Sequence, residues 1–166
     1  MIWEGLLTEG LAVTRMVHDR YHAARRNPWN EVECGDHYAR SMASYGVYLA
    51  ACGYEYHGPQ GHLAFAPRLT PEDFRAAFTT AEGWGTFTQK REGGKQTDTI
   101  ELKSGRLSLH SLEFAVPDNT RPTQVTVTAA GQSLTVTVEV KSGRVRIALA
   151  APVVLAAGQS LQVQIS

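Results

Sequence analysis

Apolar residues recur at helical spacing near the start of the chain, and charged side chains lie off the apolar stripe. The stripe consists of Leu6, Gly10, Val13, Val17 and Tyr21. It predicts a first helix that ends before Asn27-Pro28, because a residue that precedes proline avoids the α region. A second helix is expected to begin at Gly35 or Asp36, a common N-cap type, and to run to Cys52 before Gly53.

After Gly53 the pattern changes from helical to extended. Residues 54–57 and 62–66 flank the turn sequence Gly-Pro-Gln-Gly, which is typical of a β-hairpin and makes His57 and His62 cross-strand neighbours. Thr70-Pro71-Glu72-Asp73 then has the order of residues that begins a helix, with Thr at the N-cap and Pro at the first helical position. We therefore predict a short helix that carries Phe74, Ala77 and Phe78.

From Trp84 onward the alternation of apolar and polar residues predicts strands throughout. The three-residue step from Leu109 to Leu112 breaks the period of two, so a bulge is expected near His110-Ser111. Two short sequence motifs each occur twice, and all four copies are interpreted as hairpin turns. They are Lys103–Arg106 with Lys141–Arg144, and Ala129–Leu134 with Ala156–Leu161. A small antiparallel sandwich is the predicted outcome.

Composition excludes several classes of partner. Sixteen basic and sixteen acidic residues cancel, so no net field attracts nucleic acid or an anionic membrane surface. The longest apolar stretch, near residues 148–157, is too short to span a bilayer, and the first residues lack the pattern of a signal peptide. Two cysteines do not make a disulfide framework. These observations favour a cytoplasmic protein.

Residues 27–46, NPWNEVECGDHYARSMASYG, combine acidic, basic and aromatic side chains at high density. Glu31 and Glu33 face one way in an extended segment, and His37 and Arg40 fall on one face of the second helix. A carboxylate and a guanidinium together accept and donate hydrogen bonds to sugar hydroxyls, and Trp29 offers an apolar face to a pyranose ring. We interpret the segment as one wall of a sugar-binding cleft. The alternative is an ion-paired cluster that only caps the helix.

Three segments of the chain resemble a known family. NPWNEVECGDHYARSMAS, GYEYHGPQGHLAFAPRL and AEGWGTF are similar to the C-terminal end of bacterial glycoside hydrolase family 116, which contains β-glucosidases and non-lysosomal glucosylceramidase-like proteins. The resemblance covers roughly residues 2–90. It implies an α+β chain in which the terminal helices of an (α/α)6 barrel-like region and a hairpin, residues 1–83, precede an antiparallel β-sandwich-like tail, residues 84–166.

The resemblance also implies residue roles and a parent activity. It implies that Glu31 and Arg40 hold the hydroxyls of the glucosyl ring of a β-glucoside, followed by Glu33 and His37, in a retaining enzyme without a cofactor. In the family the nucleophile and the acid lie on earlier parts of the barrel. Glu31 and Glu33 are too close in sequence to approach the different atoms that those two roles require. The chain is therefore expected to be a C-terminal fragment that is inactive alone, and that self-associates or works with a polypeptide supplying the barrel.

Two alternatives belong to other functional classes. The first is a non-catalytic β-sandwich accessory or carbohydrate-interaction module, although the tail lacks a row of aromatic residues and Trp84 is expected to pack between layers. The second is a metal-dependent enzyme that uses His18, His22 and the Cys34–His37 cluster. His18 and His22 form H-x-x-x-H without the glutamate of H-E-x-x-H, and no further ligand pair is evident, so no metal is predicted. Cys34 with His37 as nucleophile and base lacks an orienting third group.

Overall fold

The computed structural model describes residues 1–21, 24, 41–118 and 120–166. The chain forms two compact units, Met1–Gly53 and Tyr54–Ser166. This division separates two parts of the chain that each pack mainly within themselves. The predicted division after Gly83, which follows the family resemblance, stays a prediction.

The described part of the first unit contains two α-helices, α1 (Leu7–His18) and α2 (Ser41–Cys52). Helix α2 ends where the sequence predicted, and Gly53 follows it with a φ of 55°. The predicted start at Gly35 or Asp36 lies outside the described residues. Two helices do not make an (α/α)6 barrel, so that part of the expected fold is not shown. Neither helix is long and apolar enough to cross a membrane.

The second unit contains ten strands in its described part. They are β1 (Glu55–His57), β2 (His62–Phe65), β3 (Asp73–Thr79), β4 (Gly83–Glu92), β5 (Lys95–Ala115), β6 (Val125–Ala129), β7 (Gln132–Ser133), β8 (Val136–Lys141), β9 (Arg144–Ala156) and β10 (Ser160–Ile165). The expected β-rich tail is therefore confirmed. The hairpin β1–β2 is also confirmed, with His57 opposite His62.

The strands form two layers that share β5. The first layer, sheet I, has the order β1-β2-β5-β9-β8, and the second, sheet II, has the order β3-β4-β5-β10-β6-β7. Pairing is antiparallel except between β2 and β5, which run parallel. The prediction of a purely antiparallel sandwich is therefore wrong at this one pair, because the β1–β2 hairpin joins β5 along its second half rather than through a direct turn.

Aromatic rings join the inner faces of the two sheets. The Phe65 ring from β2 stacks on the Phe87 ring from β4, with centroids 3.8 Å apart, and Phe87 also stacks on Phe114 of β5 at 5.9 Å. All three side chains are fully buried. Burying a phenylalanine contributes about 1.5–3 kcal/mol, so this stack is a main source of cohesion between the layers.

The helix predicted from Thr70 is absent, and strand β3 occupies Asp73–Thr79 in its place. Phe74, Ala76 and Phe78 are buried at every second position while the residues between them are exposed. The apolar period of two therefore outweighed the helix-start signal. The prediction of a helix that begins at Thr70 is therefore wrong, and Thr70 and Pro71 instead precede a strand.

Two of the four predicted hairpin turns are confirmed. Lys141–Arg144 closes the β8–β9 hairpin, and the turn within Ala129–Leu134 closes β6–β7. Ala156–Leu161 instead carries the chain from sheet I to sheet II, because β9 and β10 pair with different halves of β5 and not with each other. The bulge predicted near His110-Ser111 is confirmed by a register shift between Leu109 and Ser111.

The fourth predicted turn, Lys103–Arg106, lies inside the continuous strand β5. There β5 passes from sheet II to sheet I, and the register with β4 shifts between Trp84 and Gly85. Gly105 has a φ of 78°, and a Cβ atom at this position would lie 1.9 Å from the Glu82 carbonyl oxygen. The glycine that suggested a turn is therefore needed for a bulge.

We expect Gly105→Ala to lower the free energy of unfolding more than Gly94→Ala does. Both glycines have similar positive φ values, 78° and 76°, but a Cβ at Gly94 meets nothing within 4 Å. The shared conformational strain costs roughly 1–2 kcal/mol, and forced overpacking at Gly105 should add about 1–3 kcal/mol. Urea denaturation of the two variants and the parent measures this difference. Equal destabilisation would show that the close backbone contact at Gly105 is not required.

Candidate functional site

The predicted substrate-holding residues Trp29, Glu31, Glu33, His37 and Arg40 all lie outside the described residues. Their mutual arrangement therefore stays a prediction. The described helix α2 begins at Ser41, immediately after this segment.

The metal-site alternative cannot be placed as a whole, since His22, Cys34, Asp36 and His37 also lie outside the described residues. Among the residues that the structure describes, no group of three or more His, Cys, Asp or Glu side chains is placed to hold a metal ion. Cys52 is buried, and desolvation raises the pKa of its thiol, outweighing a hydrogen bond with Tyr48 that lowers it. Such a thiol is a poor nucleophile.

A buried polar cluster occupies one end of the core in the second unit. Gln89, Gln96 and Asp98 are almost fully enclosed, and all three side chains point to the inner face of sheet II. The Gln96 amide nitrogen donates to the Asp98 Oδ2 atom at 2.8 Å and to the Ala115 carbonyl oxygen at 3.1 Å. The Gln89 amide nitrogen donates to the Pro71 carbonyl oxygen at 2.7 Å. The cluster therefore joins sheet II through hydrogen bonds to the segment before β3 and to the C-terminal end of β5.

Arg91 completes this cluster at its outer end. Its Nε atom donates to the Gln96 Oε1 atom at 2.8 Å, and its Nη2 atom donates to the Ala115 carbonyl oxygen at 3.0 Å. The Glu72 carboxylate lies 3.6 Å from Nη1. A cavity of about 260 Å³ opens beside Arg91 and Gln96. Because the guanidinium already has protein partners on each side, the cluster is built to close the core and not to capture an anion in this cavity.

Asp98 is the most perturbed titratable group that the structure describes. Burial raises the pKa of Asp98 to about 7, against the lowering effects of the Gln96 hydrogen bond and the Arg91 charge. The Oδ1 atom has no hydrogen-bond partner among the residues that the structure describes. A carboxyl group with one unpaired buried oxygen is most stable in its neutral form, because desolvation penalises the charge.

A second polar group covers the outer face of sheet I. The Arg144 guanidinium lies 3.2 Å from Glu113 and 3.6 Å from Glu55. Ala64 lies between these two glutamates in the strand register and is fully buried. The arginine therefore spans three strands and shields a small apolar residue. Ion pairs on a sheet face of this kind are common and contribute little each.

The pairing of His62 with Ser111 resembles a base and a nucleophile, with the His62 Nδ1 and Ser111 Oγ atoms 2.8 Å apart. Burial lowers the pKa of His62, with the Glu113 charge acting in the opposite direction. A catalytic pair of this type also needs free backbone N–H groups to stabilise an oxyanion. The N–H groups of His110 and Ser111 instead donate to the Gly61 carbonyl oxygen at 2.8 and 3.2 Å. The pair is therefore a cross-strand hydrogen bond at the bulge.

Trp84 does not pack between the layers, contrary to the expectation from its sequence context. Its side chain is 51% exposed. It projects from the outer face of sheet II, opposite Thr79 of β3 and Ser104 of β5. The residues that point inward on β4 are Gly85, Phe87 and Gln89. The strand alternation along β4 therefore gives the outward position to Trp84 and the inward one to Gly85.

The inward-facing polar cluster was missed in the sequence, although a signal for it exists. Gln96 and Asp98 have the same parity along β5 as Ile100 and Leu102, which are fully buried. Extension of the alternating pattern by two steps would therefore have placed an amide and a carboxyl group in the core.

Comparisons with known proteins add little. No family model matches the chain, and no curated protein matches it. Solved structures to which it is similar include two α-L-rhamnosidases, both at low identity. One, from Dictyoglumus thermophilum, shares 11% identity over 79% of this chain and 14% of that chain, with a TM-score of 0.42. The other, from Streptomyces avermitilis in complex with L-rhamnose, shares 16% identity over 77% and 11%, with a TM-score of 0.45.

A third solved structure is described only as a glycoside hydrolase, with 16% identity over 80% of this chain and 20% of that chain and a TM-score of 0.41. The chain thus spans 11% to 20% of the length of these three glycoside hydrolases. At these TM-scores the likeness is too weak to carry an argument about fold or activity. It does not point to family 116 in particular.

We expect the stability of the protein to fall as the pH rises from about 4 to 7, with Asp98 as a main cause. The folded-state pKa of about 7 exceeds the reference value of 3.8, so in this window the folded state holds a proton that the unfolded state releases. Stability then decreases with pH, by about 1.4 kcal/mol for each unit of pKa difference.

The Asp98→Asn variant measures this contribution, because asparagine mimics the neutral carboxyl group. Urea denaturation at a series of pH values should show its stability relative to the parent increasing up to pH 7 and constant above it. Asp73→Asn is the matched control, since Asp73 is exposed. An Asp98→Asn profile parallel to that of the parent would contradict the assignment of a neutral buried carboxyl group.

Proposed function

We propose that this chain is the C-terminal part of a retaining β-glucoside hydrolase and supplies substrate-holding residues without the catalytic carboxylates. The observation that carries the proposal is the segment NPWNEVECGDHYARSMAS, which contains Trp29, Glu31, Glu33, His37 and Arg40 and resembles the C-terminal end of family 116 barrels. The confirmed hairpin and β-rich tail that follow this segment are consistent with the same resemblance.

The chemistry of the proposed site is that of sugar recognition. The Glu31 carboxylate accepts hydrogen bonds from ring hydroxyls, and the Arg40 guanidinium donates them. In the proposed arrangement His37 and Arg40 lie on the helix that continues into α2, two turns and one turn before Ser44, respectively. Trp29 offers its ring to the apolar face of the sugar. Glucosides and glucosylceramide-like lipids are the proposed substrate class.

The proposed partner is the rest of the barrel, on the same or on another polypeptide. Where the rest of the barrel is absent, we propose that the chain self-associates through its helices. Several large apolar side chains of the first unit are exposed, and apolar surface of this kind drives association where it is contiguous. They include Val13, Met16, Met42, Tyr45 and Tyr48. A cytoplasmic location is part of the same proposal, and the balance of acidic and basic residues supports it.

A second candidate function is that of a non-catalytic carbohydrate-interaction module. The exposure of Trp84 favours it, because a half-exposed indole on a sheet face is the type of surface on which a sugar ring stacks. The two candidates use different units of the chain and are separable by mutation.

We expect the isolated chain to release no product from an aryl β-glucoside. Without a nucleophile and an acid, a glycosidase loses the two groups that act on the glycosidic bond. A chromogenic release assay against a protein-free blank makes the measurement. Release above the blank that disappears in the Glu31→Gln variant would contradict the proposal.

In a complete enzyme that contains this segment, we expect Glu31→Gln and Arg40→Met each to reduce kcat/KM by about one to two decades. The reason is the loss of charge-assisted hydrogen bonds worth roughly 1.5–3 kcal/mol each. Residual activity should stay measurable, because these residues position the ring and do not attack it.

The matched controls are Glu9→Gln and Arg75→Met, which alter exposed residues of the same types. They should leave kcat/KM unchanged. Melting temperatures measured on the same preparations separate the two roles of Glu31 and Arg40. Unchanged kinetics with a lowered melting temperature would assign both residues to the scaffold.

A further inference from the structure

Trp84 is a large apolar side chain that the fold holds in water. It follows directly after the β3–β4 turn, where the Thr80 N–H and hydroxyl groups both bond to the Gly83 carbonyl oxygen. Its side chain is 51% exposed, although Phe87, three residues further along β4, is fully buried. Burial of such a ring would contribute about 1.5–3 kcal/mol. The outward position therefore forgoes stability.

Three glycines close to Trp84 leave no room for a Cβ atom. A Cβ atom at Gly83 would lie 2.6 Å from the Ser104 carbonyl oxygen, one at Gly85 would lie 2.2 Å from that of Glu101, and one at Gly105 would lie 1.9 Å from that of Glu82. These contacts surround the register shift between Trp84 and Gly85. The extra residue of this bulge is Lys103 of β5, and bulges are often found beside functional sites. The backbones of β4 and β5 therefore approach each other closely beside the ring.

An ion pair lies at the same end of β4. The Arg106 Nε and Nη2 atoms donate to the two carboxylate oxygens of Glu82, each at 2.8 Å. Hydrogen bonds from Arg106 lower the pKa of Glu82, so the carboxylate is ionised near neutral pH. Both side chains are more than half exposed. The pair offers acceptors and donors with no net charge, and the Ser104 hydroxyl, opposite Trp84, adds a group that does both.

We propose that Trp84, the Glu82–Arg106 pair and Ser104 form a binding surface for a neutral oligosaccharide. The indole face receives the apolar face of a pyranose ring, and the ion pair and the hydroxyl bond to ring hydroxyls. The balanced charge favours a neutral sugar over an anionic one, because neither sign is attracted. This inference deepens the second candidate function and does not depend on Glu31 or Arg40.

The test is titration of the ¹⁵N-labelled full chain with cellotetraose, xylotetraose and laminaritetraose, observed through the indole N–H signals in NMR spectra. Single Trp→Phe variants assign the three signals. We expect the Trp84 signal to shift to saturation with at least one of these neutral sugars, while the Trp3 signal stays in place. An oligogalacturonate of the same length should bind more weakly. No Trp84 shift with any of the three neutral sugars would overturn the proposal.

Variants separate a binding surface from a general effect on the fold. Trp84→Ala should weaken binding, followed by backbone amide shifts, by at least about tenfold, the factor that 1.4 kcal/mol makes in a dissociation constant. Trp3→Ala is the matched control, since Trp3 is 44% exposed in the other unit, and should leave binding unchanged. Glu82→Gln keeps the ring in place and should weaken binding several-fold. Equal affinity of the Trp84→Ala variant and the parent would overturn the proposal.

The same titration distinguishes this surface from the proposed cleft. The Glu31→Gln and Arg40→Met variants should bind the tetrasaccharide at Trp84 with unchanged affinity. Loss of the Trp84 shift in these two variants would overturn the proposal of an independent surface. Failure of both variants to affect hydrolysis in a complete enzyme would instead count only against the substrate-holding role.

Discussion

The second unit depends on one strand that belongs to both of its sheets. Strand β5 pairs with β4 and β10 over its first half and with β2 and β9 over its second half. The change of sheet occurs around Gly105, where the backbone takes a positive φ and passes so close to Glu82 that no side chain fits. The turn between β9 and β10 is held close to this crossing, because Leu102 forms backbone hydrogen bonds with Gly158 and Gln159. The placement of β9 and β10 in different sheets follows from this crossing.

The core that these sheets enclose is apolar along most of its length and polar at one end. The stack of Phe65, Phe87 and Phe114 holds the layers together, whereas Gln96 and Asp98 close the core with hydrogen bonds. A buried carboxyl group that keeps its proton costs less than a buried charge, yet more than an apolar side chain of similar size. The polar cluster instead connects separate segments, since Gln89 of β4 and Gln96 of β5 donate hydrogen bonds to the carbonyl groups of Pro71 and Ala115. A fixed loop geometry at this end is the physical result.

The functional proposals rest on two separate regions with different chemistry. The segment that carries Glu31 and Arg40 resembles the end of a glycosidase barrel and is proposed to act only with the remainder of such a barrel. Trp84 lies on the second unit, beside three glycines at which the backbones of β4 and β5 approach each other closely. Sugar recognition is proposed for both regions, because each combines an aromatic ring with a carboxylate and a guanidinium. Catalysis is proposed for neither, since the family resemblance implies that the groups that cleave a glycosidic bond lie elsewhere.

The sequence by itself determined the type of most elements and several of their ends. Period-two alternation identified the strands from β4 onward, the Gly-Pro-Gln-Gly turn identified the first hairpin, and Gly53 marked the end of α2, because each signal acts between residues close along the chain. Residues 27–46 were chosen as the candidate site on chemistry and resemblance alone, and that choice stays a prediction. Tertiary structure decided the rest. It made Lys103–Arg106 a crossing between sheets and not a turn, and it turned the Thr70 cap signal into the lead-in to a strand. It also left Trp84 exposed and placed the Ala115 carbonyl group beside Gln96, since both depend on which distant segments lie opposite each face.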